Sequence, residues 1–214
     1  MRNALLCLFL AATVAAPGFA AASFTADADA TGVVVLWFAG QEVTAEVRAQ
    51  FTLSGTLVLE GVGTAFSVTA RASGPGSGNL DTLAVEAWVA VDGAGMTDAG
   101  DAVTLRGGIA ITSLDAASTT STSGRGSGAF YFLLTTTAGT WAIEGEAVGE
   151  ASGSFVVPDD PHSMQLSGAG SFVLAGEPRV WATSENAPFP QWPGALLAAL
   201  ERQAAEQESA AGGK

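Results

Sequence analysis

The chain is short of the side chains on which most active sites are built. Its 214 residues include one cysteine, one histidine and one tyrosine, and Lys214 is the only lysine. The cysteine, Cys7, lies in an apolar N-terminal stretch that reads as a leader, so the mature chain is expected to carry no thiol. Disulfides, zinc thiolate sites and cysteine nucleophiles are then excluded together. A single histidine, His162, excludes any site that needs two imidazoles; it sits beside Asp159 and Asp160 and reads as a loop residue. No serine occupies a Gly-x-Ser-x-Gly elbow between strand and helix, because Gly126-Ser127-Gly128 runs on into Phe130-Tyr131-Phe132. No glycine loop leads into Lys-Ser or Lys-Thr, and no strand–glycine–helix nucleotide motif occurs. Positive charge is equally scarce. Eight Lys plus Arg stand against 21 Asp plus Glu, a net charge of −13, which excludes the basic stripe of a nucleic-acid binder. The 27 glycines exclude a long coiled coil, and 48% apolar residues argue against disorder.

Residues 1–22 have the form of a secretory signal. Arg2 supplies the positive end, Ala4–Val14 the apolar stretch, and Ala20-Ala21-Ala22 a small-residue cleavage site before Ser23. The apolar stretch is far below the roughly 20 residues that a membrane helix needs. Cys7 follows Leu6 inside that stretch, which is not the setting of a lipidated cysteine. Loss of Arg2 leaves seven basic against 21 acidic residues, a net charge of −14 on the mature chain. Localisation is expected to be periplasmic, cell-surface or extracellular.

From Val33 to about Thr183 the apolar residues recur with a period of two. Val43, Ala45, Val47, Ala49, Phe51 and Leu53 alternate with Glu42, Thr44, Glu46, Arg48, Gln50 and Thr52, the two faces of one strand. The same split runs through Thr64–Ser73, Leu80–Val91, Val103–Thr112, Thr140–Val157 and Gln165–Leu174. Val33–Ala39 and Ala129–Leu134 are apolar on both faces and read as central strands covered on both sides. Gly74–Asn79, Asp92–Asp101, Asp115–Gly126 and Pro158–Pro161 read as loops. Ser54-Gly55, Ser127-Gly128, Ser152-Gly153 and Ser167-Gly168 each read as the opening of a strand. The expected fold is all-β: an antiparallel meander of roughly nine or ten strands, closed as a barrel or stacked as a two-sheet sandwich. One domain over 23–185 is followed, over 186–214, by a proline-rich linker, an amphipathic helix and a frayed tail. Pro193 suits the first turn of that helix. Leu196, Leu197 and Leu200 form its apolar stripe, with Phe189 and Trp192 as anchors, and it is expected to pack on the strands or plug an open end.

Three groups of polar residues are candidates for chemistry. Glu144, Glu146 and Glu150 share one strand face, about 7 Å between next-but-one neighbours, a spacing that a two-carboxylate glycosidase could use. Glu86 and Trp88 share a face elsewhere and suggest a sugar-contacting patch. Asp92, Asp98 and Asp101 lie in a glycine-containing stretch that could fold round calcium, the one metal whose oxygen ligands this chain supplies. Against each stands a plainer account, since carboxylates solubilise a wet sheet face and aspartates are ordinary turn residues. Asp27–Gly32 resembles the opening of an EF-hand loop, but the position that needs glutamate is Phe38.

These features point to an exported, non-catalytic protein that binds a small ligand or an envelope partner, or serves as a structural component of the cell envelope. No cofactor is expected beyond the calcium just weighed, and no nucleic acid. An integral outer-membrane barrel shares the alternation, the glycines and the export signal, but it wants aromatic girdles that one tyrosine does not supply; membrane insertion is therefore not favoured. A glycan-binding or glycan-hydrolysing domain would rest on the glutamates and Trp88. The direction in which the Val43/Val47/Phe51 face points separates the first two.

Overall fold

In a computed structural model the chain is an eight-stranded antiparallel barrel, described over residues 22–79, 81, 84–116, 123–156 and 163–180. The strands are β1 (Ser23–Ala39), β2 (Glu42–Leu59), β3 (Val62–Asn79), β4 (Ala84–Thr97), β5 (Ala102–Ala116), β6 (Ser123–Thr136), β7 (Gly139–Val156) and β8 (Ser163–Val180). Each pairs with the next, and β8 returns to β1, so the sheet closes on itself. Closure excludes the sandwich and leaves no unpaired edge. The described residues contain no helix; the expected C-terminal helix and its anchors Phe189, Trp192, Leu196, Leu197 and Leu200 lie outside them.

Eight strands replace the nine or ten expected because two glycine-rich stretches are strand. Gly74–Asn79 is the end of β3, and Asp92–Thr97 the end of β4. Composition suggests turns at both places, but their glycines point into the barrel. A Cβ on Gly93 would lie 2.5 Å from that of Ala70 on β3, so the two backbones run too close for a side chain. Pro75 is tolerated where the β3–β4 ladder skips it: pairing stops at Ser73↔Ala90 and resumes at Gly76↔Ala87. The four Ser-Gly pairs also lie within strands, each serine on the outer face and each glycine on the inner one.

The apolar face points inward. Val43, Phe51, Leu53 and Leu57 of β2 are buried, whereas Glu42, Thr44, Arg48, Gln50 and Thr52 are exposed. Among the described residues no second sheet lies over the two doubly apolar segments. Their outer faces form part of the wall, with Trp37 38% exposed on β1.

The hydrogen-bonded row that leaves β6 at Arg125 passes Glu150, Ser171, Asp29, Thr52, Thr69, Ala94 and Thr104. It returns to β6 at Thr135, ten residues further on. Such a stagger tilts the strands by about 40° from the axis. The longest strands have 18 residues. At about 3.3 Å per residue and this tilt they make a barrel about 45 Å tall.

The two ends differ. At one end lie the β2–β3, β4–β5 and β6–β7 turns, all short. Glu60 (φ 50°) and Gly61 (φ 82°) form a two-residue turn of the type that matches strand twist. The β4–β5 turn is knitted by Thr97, whose carbonyl accepts from Gly100 N–H (3.0 Å) and whose hydroxyl accepts from Asp101 N–H (3.0 Å). Inside this end sits the dry core. Phe24, Phe130, Phe132, Leu53, Leu105 and Leu134 are all less than 2% exposed. Phe24 stacks on Phe66 at 5.7 Å and meets Phe130 at 5.8 Å; Phe130 meets Phe132 at 4.8 Å. Phe130, Gly145, Gly176 and Phe24 form one inward row across four strands. The two glycines between the phenylalanines leave room for the rings to meet, and a Cβ on Gly176 would stand 3.0 Å from Phe130 Cζ. This end is therefore closed by aromatic packing.

Candidate functional site

Toward the opposite end the inward residues become small. One row runs Gly153, Gly168, Gly32, Ala49, Ala72 across five neighbouring strands. The adjacent row runs Gly124, Ala151, Gly170, Ala30 before reaching Phe51. Nine inward positions in a contiguous block thus carry no side chain or only a methyl. A barrel radius is set by strand number and stagger and does not shrink to match small side chains. What remains is space. A cavity of about 1020 Å³ lies here, lined by Ala30, Phe51, Gly124, Ala151, Gly170 and the backbone of the residues flanking them. Every such flanking residue in β1, β2, β7 and β8, Asp29 and Thr31 for example, points its own side chain outward.

Above the cavity the inward residues turn apolar again but remain solvent-accessible. Val34, Leu36, Leu166 and Met164 are half-buried, and Phe155 is 41% exposed although it shares the inner face with Leu166. Ala151 likewise faces inward and is exposed. Water therefore reaches the lumen from this end. From Ala30 to Phe38 it is about 20 Å deep by strand rise and tilt. The geometry is a cup: an aromatic floor, walls of backbone and methyl groups, and an apolar rim.

The polar candidates do not converge on this cup. Glu144, Glu146 and Glu150 are exposed on the outer face of β7. Glu144 stands opposite Tyr131 and Glu177, and Glu146 between Ala129 and Ala175. Glu150 approaches Arg125 at 3.9 Å, an exposed pair of little energetic weight. Glu86 and Trp88 are on the outer face of β4, three strands round the wall from those glutamates. A convex wall holds them apart rather than across a cleft. Asp92 is mid-strand on β4 and accepts from Arg106 Nε at 3.0 Å, while Asp98 and Asp101 are in the turn at the closed end. Among the described residues no three His, Cys, Asp or Glu side chains are grouped as a metal site would need. His162 lies outside the described residues.

One perturbed group stands out on the outer wall. Tyr131 is 4% exposed, and burial, with the nearby Glu144 carboxylate as a smaller cause, holds its phenol above the ordinary tyrosine range. Sequence reasoning missed Tyr131 and, of the residues that line the cavity, named only Glu150 as a site candidate, for its carboxylate rather than for the backbone it contributes to the wall. A signal for the cavity did exist in the run of Gly and Ala at alternate positions of β7 and β8, but it becomes legible only when register brings the rows together.

No family model, curated protein or solved structure matches this chain.

Proposed function

We propose that this protein is an exported, non-catalytic carrier that holds an elongated apolar molecule in the open half of its barrel. The carrying observation is the cavity of about 1020 Å³ between the aromatic floor and the solvent-accessible rim. Its volume is at the upper end of small-ligand sites, its lining offers methyl groups and aromatic surface, and its depth suits an extended hydrocarbon chain. Backbone groups of the wall are already paired in the ladder, so recognition would rest on shape and apolar contact. The leader at residues 1–22 supports export, and the net charge of −14 after its removal supports a freely soluble mature form.

The outer wall favours this reading over a lipid-embedded barrel. Asp29, Glu46, Arg48, Asp92, Arg106, Glu144, Glu146 and Glu150 point outward at successive heights. They interrupt the apolar band about 25 Å tall that a membrane barrel presents to lipid. The scattered carboxylates likewise favour it over a glycan hydrolase, which needs two carboxyl groups facing one bond.

The test is titration of the mature protein with N-phenyl-1-naphthylamine, an uncharged probe that brightens in apolar surroundings. Saturable enhancement, displaced by a long-chain alcohol, is expected; absence of saturable binding overturns the carrier reading. Release from cells without detergent is expected as well, and retention in the membrane fraction until detergent is added overturns the soluble form.

A further inference from the structure

The placement of charge on the wall decides which lipid the lumen can hold. Along the paired ladders every inward position is apolar or glycine except Thr64, Thr97 and Thr136, and those three lie at the closed end. Arg48, Arg71, Arg106, Arg125 and Arg179, the arginines of the described strands, all occupy outward positions. Backbone N–H and C=O groups run along the sheet into the ladder. Among the described residues the upper lumen therefore offers a bound molecule neither a cation nor a side-chain donor. The mouth adds a sign. Glu42, Glu46 and Glu86 stand on the outer face near the open end, and Asp81 is exposed in the turn after β3. The arginines at that level stand beside carboxylates, Arg48 with Glu46 at 2.6 Å and Arg125 with Glu150 at 3.9 Å. Residues 80–83, 117–122 and 157–162 of the sequence include no lysine or arginine.

The lumen is also deep enough to enclose a whole chain. Its depth of about 20 Å exceeds the roughly 15 Å that one acyl chain spans in half of a bilayer's hydrocarbon core. Its floor is Phe51, which lines the cavity, and half-buried Phe172, whose ring fills the place of a Cβ on Gly149 and stands 3.1 Å from one on Gly170. A chain seated on that floor ends below the rim, so its head group lies inside the lumen and not in bulk water. A charged head is unpaired there, and burying an unpaired charge costs far more than burying a hydroxyl. We propose, resting on the carrier reading above, that the lumen takes a lipid with an uncharged head and excludes the fatty-acid carboxylate of the same chain length.

Displacement of N-phenyl-1-naphthylamine from the chain starting at Ser23 compares dodecanol, dodecylammonium and dodecanoate at neutral pH, where the last two are charged. Dodecanol is expected to displace the probe at about one tenth of the dodecanoate concentration, whatever the salt. Dodecylammonium is expected to outcompete dodecanoate at about 0.01 M salt and to match it at about 1 M, where the mouth carboxylates are screened. Dodecanoate as effective as dodecanol overturns the proposal, while saturable probe binding leaves the carrier reading standing; absence of saturable binding overturns both. A preference for the anion over the cation at low salt overturns the part assigned to the mouth. A gain-of-function variant ties the discrimination to the missing cation. Leu36 faces inward, half-buried near the mouth, and in Leu36→Lys the stem lifts the ammonium toward water. With an unchanged far-UV circular dichroism spectrum, that variant is expected to bind dodecanoate about tenfold more tightly and to alter dodecanol binding by less than about threefold. Dodecanoate binding that does not improve overturns the proposal.

Discussion

Replacing Ala30 and Ala151 together by leucine tests whether the upper lumen is space or packed interior. Both side chains face inward in one row of the small-residue block, on either side of Gly170, and both line the cavity. Each substitution adds three carbons. Full burial would contribute about 0.8 kcal/mol per carbon, or roughly 2.4 kcal/mol per leucine. Ala151 is exposed and Ala30 only partly buried, so about half of that is expected. The pair should therefore stabilise the protein by about 2 kcal/mol, raising the guanidinium midpoint by about 0.5 M at a slope of about 4 kcal/mol/M. The same two side chains obstruct the cavity, so affinity for N-phenyl-1-naphthylamine should fall at least tenfold. Stability and binding thus move in opposite directions, which neither a packed core nor a surface site would produce. Overpacking a filled interior costs about 1–3 kcal/mol. A loss of that size, or unchanged probe binding, refutes the reasoning.

Three further outcomes follow from the closed end and the outer wall. Phe130→Ala removes a side chain that is 1% exposed and touches both Phe24 and Phe132, and should cost about 3–5 kcal/mol in guanidinium unfolding. Gly145→Val should destabilise by more than an ordinary exposed-strand change, because its Cβ would strike the β8 backbone at Ala175 and Gly176; recovery of wild-type stability would contradict the close approach there. Glu144→Gln should lower the Tyr131 ionisation only part of the way to the ordinary value, since burial is the larger cause and the carboxylate the smaller. The folded phenol ionises above the unfolded one. Its contribution to stability is therefore complete below pH 10 and lost as pH rises through the folded value, so thermal unfolding should fall in that alkaline window in the wild type and less steeply in Glu144→Gln.

How far the sequence can be read is clearest at β2 and β3. The strict alternation of Val43 to Leu53 placed a two-faced strand correctly, and its exposed partners are the expected polar set. Gly74–Asn79 misled because Gly and Pro are turn residues in most settings, whereas here they sit where backbones crowd and the β4 ladder is interrupted. The polar candidates were visible as residue types but not as a site. Glu86 and Glu150 look equally eligible in one dimension, and only closure shows that they lie on different parts of a convex wall.

By itself, then, the sequence determined an antiparallel all-β chain of two-faced strands, because a period of two admits no other regular element. It also determined which chemistry is missing, because cysteine, histidine and lysine are nearly absent. Alternation is symmetrical between inside and outside, so the direction of the apolar face was left to the tertiary structure. So were the number of strands and the ten-residue stagger, which depend on long-range pairing between β8 and β1. The cavity is the plainest case. The nine small inward residues around it come from six strands, β1, β2, β3, β6, β7 and β8, and they become a void only where a fixed barrel radius brings them to face one another.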